Sequence, residues 1–266
     1  MKKFLGIIYI IYSILITYII LTGNLNNYLA PQLQIYIKIA VIPLFFIGII
    51  MIFNKKVTYR FKISDLILLL PIFIIIIGGD GRLSLSLAEN RSTNLFGDKE
   101  SQPTIKITDE DLEKVNNNTE YDFSKPDFDV IDENYQVLAN YLTFSESAKT
   151  YIGKTVKVKG FTVKYGSYLA DGYFALGKYI ITCCAADATF GGFIIQYNTE
   201  KIRHNKWYEI EGVLEPGKNK DGNDILAIRA INVKEIDPKN ESQYAYPCYS
   251  YDDGLCEAVK KYNLEY

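Results

Sequence analysis

The sequence predicts N-terminal transmembrane α-helices joined to a mainly β extracytoplasmic domain, an OB-like small barrel. Three observations predict it. Two long apolar runs and a shorter third fill most of the first 79 residues. Their Lys and Arg flanks are asymmetric. From Gly153 onward, apolar and polar residues alternate in short segments separated by turn signals. A small β-sandwich is the alternative arrangement of the same strands.

The first run, Phe4 to Leu21, is almost uncharged and matches the roughly 20 helical residues that span a hydrocarbon core. The second extends from about Leu33 to Phe53, with Lys38 near its outer end as a lysine reaching for the headgroups. The third, between about Ile63 and Gly79, lies at the lower length limit, and its Pro71 is tolerable where neighbouring helices compensate the lost backbone bond. Lys2 and Lys3 before the first run also fit a signal peptide, but further apolar runs follow at once and Tyr28–Leu29–Ala30 is a poor cleavage site. The expectation is an uncleaved helix.

Charge placement sets the topology. Lys2 and Lys3 precede the first run, and Lys55, Lys56, Arg60 and Lys62 lie between the second and third. Thr22 to Gln32 carries no charge. The N-terminus and second loop are therefore expected in the cytoplasm, in a multi-pass cell-membrane protein whose C-terminal domain lies outside. Residues 80–266 hold 22 Lys/Arg and 30 Asp/Glu, whereas the first 79 residues hold seven and one. An acidic outer part argues against a nucleic-acid partner.

The expected organisation is three transmembrane helices over residues 1–79, a polar membrane-proximal linker over 80–103 and a short helical lead-in over 104–150. A β domain over 151–238 and a Tyr/Asp-rich tail over 239–266 complete it. In the lead-in, Thr108 before Asp109–Glu110–Asp111 is a helix start, a cap with acids in the first turn. Asn116–Asn117–Asn118 ends that helix early. A second helix is expected from about Glu133 to Tyr141, with Tyr135, Leu138 and Leu142 at helical spacing.

Five strands are expected next. Val156, Val158 and Phe161 interleave with Lys157 and Lys159. Phe174 to Cys184, Phe193 to Tyr197, Trp207 to Leu214 and Ile225 to Ile236 supply the others, with a turn at Lys220–Asp221–Gly222–Asn223 and a short helical element near Ala185–Thr189. Gly212 marks a strongly bent barrel strand. Trp207 is expected in the barrel core or rim, and His204 on the surface.

The four cysteines carry the candidate chemistry. Cys183 and Cys184 are adjacent and are followed by Ala185–Ala186–Asp187. Neighbouring residues in a regular strand face opposite ways, so a site using both thiols requires the strand to end there. Thiolates suit zinc or cuprous copper, and Asp187 is the candidate carboxylate to complete a zinc shell. Structural cysteines and a redox pair are the competing readings. The simplest pairing for Cys248 and Cys256 is a local disulfide around Asp252–Asp253–Gly254; thiols and bridges to the Cys183/Cys184 region are the alternatives. With one histidine, no P-loop and no GxSxG or HExxH, the sequence offers no positive argument for an enzyme.

Several stretches carry a resemblance. Arg91 follows a small-residue stretch, Ile105–Lys106–Ile107–Thr108 opens the outer domain, and residues 151–163 form its first strand. Cys183–Cys184–Ala185–Ala186–Asp187–Ala188 is the most specific block, and Trp207–Tyr208–Glu209–Ile210–Glu211–Gly212 stands at a fitting distance after it. These resemble the YcgQ-like permease subunits of bacteria. The resemblance implies an accessory subunit of a two-component system with a multi-spanning membrane permease as partner, and it implies metal handling, zinc included. It carries over onto Cys183, Cys184 and Asp187. Cys248 and Cys256 lie outside its pattern, which favours the local disulfide. A membrane-anchored scaffold with structural cysteines and an extracytoplasmic thiol oxidoreductase are the other functional readings. The second lacks the CxxC spacing that tunes such thiols.

Overall fold

In the computed structural model the described residues are 2–54, 67–70, 72–73, 82–88, 105–116, 121–163, 169–247 and 257–264. The chain divides into two compact units. One is Met1–Leu83 with Cys183–Ala186, and the other is Ser84–Thr182 with Asp187–Tyr266.

The first unit is a helical hairpin. Helix α1 (Lys2–Leu21) and helix α2 (Pro31–Phe53) are the first two apolar runs, with Pro31 at the first turn of α2, where its missing N–H costs nothing. Both are long and apolar enough to cross a membrane, at mean hydropathies of 2.5 and 2.6. Only 22% of the apolar stretch of α1 and 6% of that of α2 is buried, unlike the core helix of a soluble protein. The helices cross where glycine removes the side chain. A Cβ on Gly6 would meet the Gly48 carbonyl oxygen at 2.8 Å, and one on Gly48 would meet that of Gly6 at 2.9 Å. Small residues permit such close backbone approach between apolar helices. Ser13 hydroxyl donates to the Val41 carbonyl at 3.3 Å. Lys38 is exposed. Most of the third run lies outside the described residues, although Tyr12 hydroxyl donates to the Leu68 carbonyl.

The second unit is built on strands β1 (Phe128–Asp129), β2 (Thr155–Val163), β3 (Tyr173–Ile180), β4 (Thr189–Gln196), β5 (Trp207–Lys218), β6 (Asp224–Glu235) and β7 (Tyr244–Ala245). The order β2-β5-β6-β4-β3 returns to β2, which closes a five-stranded barrel of OB-like type. All of its pairings are antiparallel except β4–β6, where Ile195 stands opposite Ile228 in a parallel step. This closure excludes the two-layer sandwich. β1 and β7 add short parallel steps to β2 and β3.

The predicted wet face of β2 is present. Lys157 pairs with Glu211 at 2.9 Å and Glu209 at 3.5 Å, and Lys159 with Glu241 at 3.1 Å and Glu209 at 3.5 Å. The other face, with Val156, Val158, Leu176, Phe193, Ile195, Ile210 and Ile228, is core. Strand limits differ from expectation at three places. β3 stops at Ile180 instead of Cys184. β4 starts at Thr189 and absorbs Gly191–Gly192, because Gly192 sits directly opposite Gly177 and a methyl there would run into the Leu176 carbonyl. β5 continues through Pro216 because its pairing to β2 ends at Val213, leaving an edge that needs no donor. The bend at Gly212 is a register shift against β6.

Helix α3 (Asp109–Asn116) starts as the sequence indicates. Asp111 accepts from Thr108 N at 3.1 Å and from its hydroxyl at 2.9 Å, the reach-back half of a capping box. Helix α4 (Tyr135–Phe144) begins and ends a few residues later than expected and buries Tyr135, Leu138 and Leu142 in the barrel core. Helix α5 (Glu257–Tyr262) lies in the tail.

Burial raises the Asp111 carboxyl, but hydrogen bonds from Lys114 and Thr108 outweigh it and hold its pKa at about 2. A depressed folded-state pKa contributes stability above the unfolded value of about 3.9, lost as pH falls through the folded one. Asp111→Ala is expected to cost about 1 kcal/mol near neutral pH. Denaturant unfolding of the two proteins at a series of pH values should show this difference shrinking between about pH 4 and 2.

Candidate functional site

Strands β3 and β4 form a hairpin whose last pair is Ile180 with Thr189. The connection between them, residues 181–188, contains the adjacent cysteines. It ends in a 3-10 turn over Ala185–Asp187. Because the chain has left the regular strand, the two thiols no longer face opposite ways. Cys183 Sγ and Cys184 Sγ stand 3.6 Å apart, a sulfur hydrogen bond and well beyond the ~2.05 Å of a disulfide. Cys183 is exposed and Cys184 half-buried.

A second strand-like segment fixes this one. Ala30 N donates to the Cys183 carbonyl at 3.0 Å, and Ala185 N donates to the Tyr28 carbonyl at 2.9 Å. The two bonds flank an antiparallel bridge between Leu29 and Cys184. Tyr28–Ala30 closes the α1–α2 connection, which has its own brace. The buried amide of Gln34 donates to Asn26 Oδ1 at 2.7 Å and to the Leu29 carbonyl at 3.2 Å. No local pattern announces this pairing, since Tyr28–Leu29–Ala30 stands out only as a poor cleavage site.

The predicted site residues fare differently. Cys183 and Cys184 are brought together. Asp187 lies in the other unit, and one of its carboxylate oxygens accepts from Thr182 N at 3.3 Å. Among the described residues no group of three or more His, Cys, Asp or Glu could hold a metal ion. The expected set Cys183, Cys184 and Asp187 is therefore not grouped as three ligands. Cys248 and Cys256 lie outside the described residues. His204 is exposed, and Trp207 is buried against Phe161 with ring centroids 5.7 Å apart.

A buried charge inside the second unit was not legible in the sequence. Lys178 is 3% exposed, forms an ion pair with Asp132, and places its ammonium 5.4 Å from the Tyr135 ring centroid and 5.6 Å from that of Trp207. The pair and the rings together satisfy a cation that β3 carries into the core. Burial, with the nearby Asp132 charge, pushes the Tyr135 hydroxyl well above its ordinary pKa. Burial likewise pushes Tyr246 up to about 12, helped by Tyr244 and Asp132. These phenols stay protonated at physiological pH. Lys178 sits between Gly177 and Tyr179 in an apolar run, and no local signal announces its partner.

A family model, the DUF1980 C-terminal domain, matches residues 106–247. The chain belongs to this family. The matched DUF1980 region contains α3, α4 and strands β1–β7, and it includes Cys183, Cys184 and Asp187. It ends just before Cys248 and leaves α1 and α2 outside. No curated protein and no solved structure matches the chain.

The backbone clamp on the thiols can be tested at one atom. Ala30 has φ −60°, which proline adopts, so Ala30→Pro removes the N–H donated to Cys183, while its ring also has to be packed at a fully buried position. Losing a bond of about 1 kcal/mol should slow bridging of Cys183 and Cys184 by a bifunctional arsenical about fivefold relative to single-thiol alkylation. An unchanged ratio would show that the clamp does not orient the pair.

Proposed function

We propose that this protein is a membrane-anchored accessory subunit of a YcgQ-like permease system, with the barrel held on the outer side of the cell membrane. One observation carries the reading. The hairpin of α1 and α2 joins an OB-like domain of the DUF1980 family while leaving its apolar surface almost wholly exposed. Phe4, Ile14, Leu21, Ile39, Phe46 and Phe53 all lie on that surface. Lipid covers such a surface at no cost, and water does not.

The hairpin also offers a seat for a neighbouring helix. An apolar groove of about 580 Å³ runs between α1 and α2, lined by Ser13, Thr17 and Leu21 on one side and Val41, Phe45 and Phe46 on the other. The Thr17 hydroxyl is turned back to the Ser13 carbonyl at 2.7 Å, which leaves the groove wall apolar. Helices in lipid associate by packing into such grooves. The partner in this reading is a multi-spanning permease, and the Lys/Arg distribution supports an outward barrel.

The experiment is purification of the full chain from its native membrane in mild detergent. The protein should resist alkaline extraction and bring down a multi-spanning partner. Thr17→Phe, which fills the groove, should keep the protein in the membrane and reduce partner recovery severalfold. On intact cells a membrane-impermeant maleimide should label Cys183. Release by alkali or the absence of any multi-spanning partner would refute the subunit reading, and labelling only after lysis would place the barrel inside.

A further inference from the structure

We propose that the helix seated in the α1–α2 groove carries an acidic residue that pairs with Lys38 within the membrane. This deepens the subunit reading, on which it rests, by giving the partner helix a charge at a defined level.

Two contacts fix how the antiparallel helices stand against each other. Ser13 hydroxyl donates to the Val41 carbonyl, and Gly6 crosses Gly48. The same offset sets Lys38 level with Ile16 and Thr17. Val41, Ile42 and Phe45 line the groove from α2. Lys38 precedes them by three, four and seven residues, so it continues the same ridge one turn nearer the α1–α2 connection. On α1 the lining runs in that direction as well, through Thr17 and Tyr18 to Leu21. Lys38 therefore flanks the half of the groove that lies toward the connection.

The hairpin holds no counter-charge for this lysine. Lys38 is exposed, and the chain has no Asp or Glu before Asp65, so α1, the connection and α2 carry none. Lys38 lies seven residues into α2, about 10 Å along the axis from Pro31. A helix filling the groove covers this ridge and displaces the lipid and water on that side of the ammonium. An apolar residue opposite would leave the charge buried and unpaired, which is strongly disfavoured. An Asp or Glu at that level supplies a charge-assisted hydrogen bond instead. The groove is otherwise apolar, so one such pair fixes the axial register of the seated helix and selects against helices without the acid. A lipid headgroup reached by extending the side chain is the competing partner for the same ammonium.

The test uses the full chain in its native membrane. Lys38→Met removes the charge and Lys38→Arg keeps it, and both variants should resist alkaline extraction as the parent does. Recovery of the multi-spanning partner in mild detergent should fall about tenfold with Lys38→Met and stay near the parent level with Lys38→Arg. Membranes are also treated with dicyclohexylcarbodiimide, which activates carboxyl groups shielded from water. The parent should form an amide between Lys38 Nζ and a partner carboxyl group, and Lys38→Met should not. Mass spectrometry of the linked peptides should place that carboxyl group on an Asp or Glu inside an apolar run. Unchanged recovery in Lys38→Met, absence of the amide, or an amide formed with lipid would each overturn the proposal and leave the partner in place. Failure of the parent to recover any multi-spanning protein would instead remove the subunit reading and this proposal with it.

Discussion

The close approach of Gly177 and Gly192 is the constraint on which the barrel depends. These residues face each other across β3 and β4, and neither has room for a methyl group. The tight coil that their small size permits lets β3 return to β2 while β4 meets β6, so that five strands form a ring. The β3–β4 ladder ends at Ile180 and Thr189. Beyond Ile180 the chain is connection, and the adjacent thiols fall in it. Had β3 run on to Cys184, the two sulfurs would face opposite sides of a sheet.

The connection acquires its shape from a segment far away in sequence. Cys183–Ala186 groups with the helical hairpin, through backbone bonds to Tyr28 and Ala30. The hairpin is itself set by the Gly6–Gly48 crossing and by Gln34, whose buried amide ties the turn to the start of α2. The dithiol segment therefore depends on the Gly6–Gly48 crossing, which sets the hairpin that offers a pairing edge. The permease reading rests on the apolar surface of α1 and α2.

Much of the fold was legible because its signals are local. Lys157 and Lys159 alternate with Val156 and Val158, and the facing strand answers with Glu209 and Glu211, so the wet face could be read without knowing the partner. Thr108 with Asp111 announced α3 through the chemistry of a cap. The two apolar runs announced α1 and α2 by length. The features that were not legible depend on contacts distant in sequence. β1 and β7 are two residues each and too short for a pattern. Lys178 looks like an interruption of an apolar strand until Asp132 and the two aromatic rings are placed around it. In the candidate site the adjacency of the thiols was visible and their convergence was not, because the bridge from Leu29 to Cys184 leaves no trace in composition or periodicity. Asp187 is the carboxylate that follows the thiols in sequence, and one of its oxygens accepts from Thr182 N, a contact the sequence does not announce.

The α1–α2 turn and the β3–β4 connection pair through backbone bonds on both sides of Cys184. Residue-resolved hydrogen exchange on the full chain in a bilayer mimic tests this pairing most directly. The amides of Ala30 and Ala185, each donated across the pairing, are expected to exchange far more slowly than those of an unstructured peptide. Exchange of both at the unprotected rate, while the β3 amides remain protected, would contradict it.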